Sequence, residues 1–388
     1  MPTAAQEIWR YTPIADLDLS RYRLGPVSPD VGAVPSGSLL VDAVAERAAL
    51  VVTVDGRLVQ ATVGDAAARQ GVTVGLTSDE MDLLDPPVPD ALTALHDAFV
   101  PEVVVLRVPA GVVVEGPVVV LQQLTGAGVA AFPHLVVAAG AASEVTVVDH
   151  WISGDGPAYV SPVVEVRGGD GAHVSYVSVQ ELGPEVWQTG QLLLSPGRDA
   201  ELRAWVVALG GDYARVHAAA DLAAQGGHAE MFGLYFGEDH QVHDFRSLQD
   251  HRASRSKSNL LLKGAVTDDA HGVYTGLIKV REGAKATDSF LANRNLVLGE
   301  GAHVDSVPNL EIVNENDIRS CGHASATGPV DEEHVFYLES RGVPTETAER
   351  LIIFGFFDEI VSSMPLPALQ NPLRRAVRRK LEKAVARA

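Results

Sequence analysis

Of 388 residues, one is cysteine, Cys321. A lone thiol forms no internal disulfide and fits a reducing compartment, so a cytoplasmic chain is expected. Cations are also scarce: 30 Lys and Arg stand against 50 Asp and Glu, a net charge of −20. With no surplus of positive charge to neutralise phosphates, nucleic acid and anionic membranes are excluded as partners. Apolar runs break at Gly, Pro or a charge well short of the ~18 residues of a membrane helix. The opening MPTAAQEIWRYTP has no basic region followed by an apolar run, so no signal peptide is expected. G-x-x-x-x-G-K-[ST] and G-x-S-x-G are both absent, which removes a P-loop ATPase and an α/β-hydrolase. Gly126-Ala127-Gly128-Val129-Ala130-Ala131 loosely matches a dinucleotide fingerprint, but Phe132-Pro133 stands where its helix would run, so it reads as a turn.

What the chain does have is short Val, Leu and Ile runs punctuated by glycine, from residue 103 onward. A Gly-Ala pair recurs at Gly140, Gly171, Gly264, Gly283 and Gly301, the last three 19 and 18 residues apart. Three strands of about 5–6 residues with tight corners fill such a period. The expectation is a mainly β protein with a parallel β-helix core over 101–330, each turn burying its inner face on its neighbours. An antiparallel β-sandwich is the alternative. The glycines would serve corners of positive φ.

Length allows two or three domains. Residues 1–100 read as a mixed leader: an apolar patch at Trp9, Tyr11 and Ile14, Pro/Gly/Ser-rich sequence over 25–37, and a hairpin turning at Asp55-Gly56. A Pro86-Pro87 turn precedes a helix over 90–99 capped by Asp90. Residues 331–388 read as a helical domain. Asp331 caps a first helix and Pro344-Thr345 opens a second, ended by Pro365. A third starts at Asn371-Pro372, with Leu373, Val377, Leu381 and Val385 on one face. Its opposite face carries Arg374, Arg375, Arg378, Arg379, Lys380 and Lys383, either solvated or set against the acidic body or a partner. The open ends of a solenoid need covers, which leader and tail could supply. The stretch at Phe354, Phe356, Phe357, Asp358 and Ile360 is apolar round most of its helix, and reads equally as core or as interface.

Ile318-Arg319-Ser320-Cys321-Gly322-His323 looks like a strand end, which would place Cys321 and His323 on one face as a soft metal-ligand pair. The competing reading is a buried thiol beside a hydrogen-bonded histidine. An iron–sulfur cluster takes about four ligands, mostly thiolates, so this chain could contribute only one or two of them. His240, His243 and His251 have no cysteine nearby and make a weak ligand set. Asp268-Asp269 and Glu332-Glu333 read as solvated turn and helix-start residues.

Asn293-Arg294-Asn295-Leu296, Pro308-Asn309-Leu310-Glu311-Ile312, Cys321-Gly322-His323, Asp331-Glu332-Glu333 and Phe336-Tyr337-Leu338-Glu339-Ser340-Arg341-Gly342 follow in an order and spacing that resembles the SufB/SufD family of iron–sulfur cluster assembly proteins. The likeness runs over about 260–364 and continues more weakly through 104–120. The family often has Gly-Ala after the histidine, where this chain has Ala324-Ser325. The single cysteine favours the SufD side of the family, since SufB relatives are richer in cysteine. The resemblance implies a β-helical, non-catalytic scaffold that pairs with a SufB-like paralogue through its sheet edge. It implies that His323, with Cys321 beside it, lies at the junction of a shared, transient iron or iron–sulfur site, with no cofactor held by this chain alone. It further implies a SufC-like ATPase docked on the tail at Phe354, Phe356, Phe357, Asp358 and Ile360, and a homodimer when the paralogue is missing. A β-helix carbohydrate lyase or hydrolase, or a purely structural dimerising solenoid, are the alternatives; the leader and charge pattern favour neither a secreted enzyme nor a carboxylate-lined outer face.

Overall fold

In the middle of the chain apolar residues occupy both faces of successive strands, as they must where a parallel sheet is covered on each side. In the strand Glu201–Ala208, Leu202, Ala204, Val206 and Ala208 pack inward while Trp205 and Val207 pack outward. The computed structural model describes residues 2–3, 5–26, 43–77, 83–84, 89–126, 128–154, 156–313 and 317–387. Most of the Pro/Gly/Ser-rich stretch and the Pro86-Pro87 pair lie outside these residues. Among them, twelve strands make sheet A and ten make sheet B. The chain alternates between the sheets in a parallel solenoid of about eight turns.

The turn differs from its expected form. Tyr213 pairs with Val242, Val242 with His271 and His271 with His303, steps of 29, 29 and 32 residues. Each regular turn therefore holds two ten-residue strands, such as His228–Gly237 and Val242–His251, rather than three short ones. The 19- and 18-residue spacing misleads because Gly264 lies inside the strand Lys257–Val266. A Cβ there would overlap the Tyr235 ring, so this glycine makes room in the lumen instead of turning a corner. At the corners, only Gly171 of the five has positive φ, +66°. Gly140 is needed for close stacking: an added Cβ would stand 2.5 Å from the Ala110 backbone nitrogen of the preceding turn. Positive φ falls elsewhere, on Ala142, Asp199, Arg255 and Ala286 among others.

The two ends of the solenoid are unlike. At the N-terminal end the antiparallel hairpin Ala49–Val54/Arg57–Val63, turning at Asp55-Gly56, finishes sheet B. Thr73–Leu76 finishes sheet A antiparallel to Val103–Val108, so both sheets begin before residue 101. Helix α1 (Asp65–Arg69) joins these strands, and Ala67 and Val72 close the lumen. At the other end His303–Ile312 and Ser320–Gly328 are the outermost strands of sheets A and B, and their side chains are exposed or half-buried.

The leader and tail cover the outer faces. Helix α2 (Ala91–Phe99), closed by an Asp90–Thr93 capping box, buries Leu92 and His96. Trp9, Ile14 and Leu17 pack with Leu92 of α2 and with Tyr159, Trp187 and Tyr213 of sheet A; Tyr11 stays exposed. Arg215 lies 3.8 Å above the Trp9 ring and ion-pairs with Asp244, while Arg246 reaches the Arg10 carbonyl at 3.1 Å. Three tail helices follow: α3 (Glu332–Glu339), capped by Asp331, α4 (Thr345–Ser363) and α5 (Pro367–Arg387). Helix α5 begins a turn before Asn371-Pro372; the proline in its first position is Pro367, and Pro372 lies inside the helix. Helices α4 and α5 bury Ile353, Phe357, Ile360, Leu373, Val377 and Leu381 against Trp205, Leu234, Phe236 and Ala265 of sheet B. They lie along the sheet rather than over the open end. The basic face of α5 is partly spent within the chain: Arg374 pairs with Asp358 of α4 at 2.6 Å, while Arg379 meets Glu181 of the body at 3.5 Å and Lys380 meets Glu238 at 3.3 Å. No helix among the described residues is long and apolar enough to cross a membrane.

Two predictions follow from this packing. Phe357→Ala, at a 1 % exposed site, lowers stability by about 3–5 kcal/mol, whereas exposed Phe336→Ala changes it by about 0.5 kcal/mol or less, read from urea unfolding midpoints. Burial holds the imidazoles of His96 and His251 at about 4 and those of His217 and His243 at about 3. The unfolded chain takes up these protons first, so stability falls as pH drops from about 6.5 towards 4, by up to about 1.4 kcal/mol per pH unit for each histidine. Asp149, raised by burial to about 6, opposes this between about pH 6 and 4. Unfolding free energy that stays flat or rises on acidification from pH 7 to 4.5 contradicts the assignment.

Candidate functional site

The last turn of the lumen gathers the polar residues of the sequence motifs. Strand Ser320–Gly328 stacks in parallel register on Asp288–Val297, setting Cys321 on Ser289, His323 on Leu291, Ser325 on Asn293 and Thr327 on Asn295. Leu291 belongs to the lumen core, so alternation turns Cys321, His323, Ser325 and Thr327 inward as well. Cys321 and His323 thus share one face. Cys321 is half-buried against the lumen core, and burial pushes its thiol up, towards the protonated form. His323 is exposed at the rim.

Beneath Cys321 a line of polar groups runs back through the lumen. His251 bonds Ser256 and Ser258 through its two ring nitrogens, both at 2.8 Å. Ser258 bonds Ser289 at 2.8 Å, and Ser289 is the ladder neighbour of Cys321. Beside them Asn293 and Asn295, both buried, tie the sheets together. Asn295 Nδ2 donates to Asn293 Oδ1 at 2.8 Å and to Thr327 Oγ1 at 3.1 Å. Tyr235 donates to Asn295 Oδ1 at 2.8 Å, and Ser306, on the opposite sheet, donates to Asn293 Oδ1 at 2.8 Å and contacts Ser325 at 2.8 Å. Every buried amide of this rung is therefore engaged, which orders the floor under His323. The sequence marks Asn293 and Asn295 as motif residues without their role, because Ser306 reaches Asn293 from the opposite sheet only once both sheets close.

The other sequence candidates disperse. His240 is an exposed corner residue 3.7 Å from Asp269, His243 is a lumen residue stacked on Tyr235, and His251 belongs to the serine line. Asp268 takes positive φ in a turn, accepting from the Asp239 backbone N–H, and Glu332 and Glu333 occupy the first turn of α3. In the tail, Phe357 and Ile360 face the body, 1 % and 0 % exposed. Phe354 and Phe356 are half-buried against the same cluster, and the hydrogen bond from Arg374 lowers the Asp358 carboxyl below its ordinary value. These five contacts are intramolecular. The large apolar residues that the tail exposes are instead Phe336 and Tyr337 of α3 and Leu351 of α4.

Helix α4 is mechanically joined to the sheet beneath this site. Lys263, buried in sheet B, donates to the Phe356 carbonyl at 2.6 Å and ion-pairs with Glu359. Its ladder neighbour is Arg294, flanked by Asn293 and Asn295, and that of Arg294 is Ala326 of the outermost strand.

The family described as SUF system FeS cluster assembly, SufBD core domain, matches residues 122–356. The chain is 34 % identical over 392 residues to an iron–sulfur cluster assembly SufBD family protein of Mycobacterium leprae, covering 98 % of this chain and 91 % of that one. A SufBD family protein of Mycobacterium bovis is 40 % identical over 282 residues, covering 71 % of this chain and 68 % of its own. The iron–sulfur cluster assembly protein SufD of Escherichia coli is 27 % identical over 390 residues, covering 98 % of this chain and 89 % of its own. With a solenoid whose last turn carries the family's motifs, the chain belongs to the SufBD family of SUF-system iron–sulfur cluster assembly proteins, as a SufD-type member.

Proposed function

We propose that this chain is a non-catalytic scaffold subunit of iron–sulfur cluster assembly that pairs edge to edge with a SufB-like paralogue. The observation supporting the pairing is the open turn. Strands of ten and nine residues end both sheets on the same side, each with backbone N–H and C=O groups that no further strand among the described residues satisfies. Such edges pair readily with another chain. A second solenoid of similar turn geometry continues both sheets at once, and a second copy of this chain takes its place when the paralogue is missing.

Cys321 and His323 lie at the seam of that pair. The nascent cluster is cargo here, and one sulfur with one imidazole leaves at least two ligands for the partner to supply. His323, exposed at the rim, is the more accessible of the two. Cys321 must first lose its proton, and burial opposes this until a cation's charge compensates.

A SufC-like ATPase docks on the tail. Because Phe357 and Ile360 are spent on the body, the docking surface is Phe336, Tyr337 and Leu351. Closure of the ATPase would draw on α4, and Lys263 would carry that displacement into the strands holding Asn293 and His323. The reading is that ATP-driven motion reshapes the seam.

Co-expression with the paralogue and the ATPase tests both interfaces. His323→Ala keeps the three-protein complex but lowers the cluster reconstituted anaerobically by about tenfold or more, read from visible absorbance per complex. The double variant Phe336→Ala/Tyr337→Ala keeps the paralogue and loses the ATPase on co-purification. A stable, stoichiometric cluster formed by this chain alone as a monomer contradicts the shared site, and an ATPase retained by the double variant contradicts the docking surface.

A further inference from the structure

Sheet A carries a second group of ligand-type side chains on the opposite face from the lumen. On its strands Gly272, Tyr274 and Ser306 face inward, so His271, His303 and Asp305 face out. This outer column runs Trp187, Tyr213, Val242, His271, His303 on successive turns. The leader covers its aromatic members and stops short of His303, which is exposed. Register therefore places two imidazoles side by side, with a carboxylate two residues along the same strand and on the same face.

Their geometry suits a single ion. The His271 and His303 rings stack with centroids 3.9 Å apart, and His271 Nε2 stands 2.9 Å from Asp305 Oδ2. Ligand atoms of all three lie within 4.8 Å of one another, the one such group of three among the described residues. Two ligands each about 2.1 Å from an ion, at tetrahedral or octahedral angles, are about 3.0–3.4 Å apart. The His271–Asp305 pair is already near that spacing, and a rotation of the exposed His303 ring closes the third. All three stand on paired strands, which hold a site more rigidly than a loop does.

We propose that His271, His303 and Asp305 form a three-ligand site for one first-row divalent transition ion, zinc(II) or iron(II), with its remaining positions open to water. Two imidazoles and a carboxylate match the donor sets of both ions, whereas magnesium and calcium prefer oxygen. With no thiolate, the site is not suited to a cluster. It stands on the opposite face of the sheet from Cys321 and His323, and does not rest on the scaffold reading.

The test uses the full-length chain carrying Cys321→Ser and His323→Ala, which removes the rim ligands. Cobalt(II) is the probe, titrated while following its visible d–d absorption. The expected result is one ion per chain. Adding His303→Ala or Asp305→Asn weakens binding tenfold or more, while the unfolding midpoint without metal shows that each variant is folded. Zinc(II), and iron(II) under anaerobic conditions, displace cobalt in separate arms and rank the two ions; millimolar magnesium does not. Absence of saturable binding, equal binding after His303→Ala, or displacement by magnesium each overturns the proposal.

Discussion

Parallel stacking of one turn on the next is the interaction on which this molecule depends. A strand in such a stack satisfies its backbone only through the turns on either side, so the last turn is always incomplete. At the N-terminal end the chain solves this by reversing direction: an antiparallel hairpin and a short antiparallel strand finish the two sheets, and α1 fills the lumen between them. At the other end no such device, among the described residues, finishes His303–Ile312 or Ser320–Gly328. The motif residues Asn293, Asn295, Cys321 and His323 lie at this end.

The same stacking explains the polar content of the interior. In a lumen of alternating Val, Leu and Ala, burying hydroxyls and amides is costly unless they find partners on neighbouring turns. Ser258 and Ser289 do so along one sheet, and Asn293 with Ser306 do so across the lumen. Outside, the covering elements are fastened by buried cations. Arg215 and Arg246 share Asp244 beneath the leader, and Lys263 and Lys380 hold the tail helices. Each buried charge has its partner close by, as burial of charge requires.

Much of this was legible beforehand wherever the signal was local. The Asp55-Gly56 hairpin, the Asp90 cap of α2 and the Asp331 cap of α3 each depend on residues within a few positions of one another. The turn length was not legible from glycine spacing, because Gly264 serves a distant tyrosine ring and, of the other recurring Gly-Ala glycines, only Gly171 has positive φ. The start of α5 was misplaced for a related reason: Pro367 and Pro372 both fit a first helical position, and only the packed helix distinguishes them.

By itself the sequence carried the family, through the order and spacing of its motifs, and through that resemblance the β-helical architecture, whereas glycine spacing alone left an antiparallel sandwich open. Which apolar residues of the tail are core, which end stays open and which histidines meet were decided by the tertiary structure alone. Phe357 and Phe336 are alike as residues and opposite in exposure. His271 and His303 become neighbours only because one turn of this solenoid spans the 32 residues between them. Contacts of that kind depend on the length of a closed turn, and no pattern confined to a few neighbouring residues contains it.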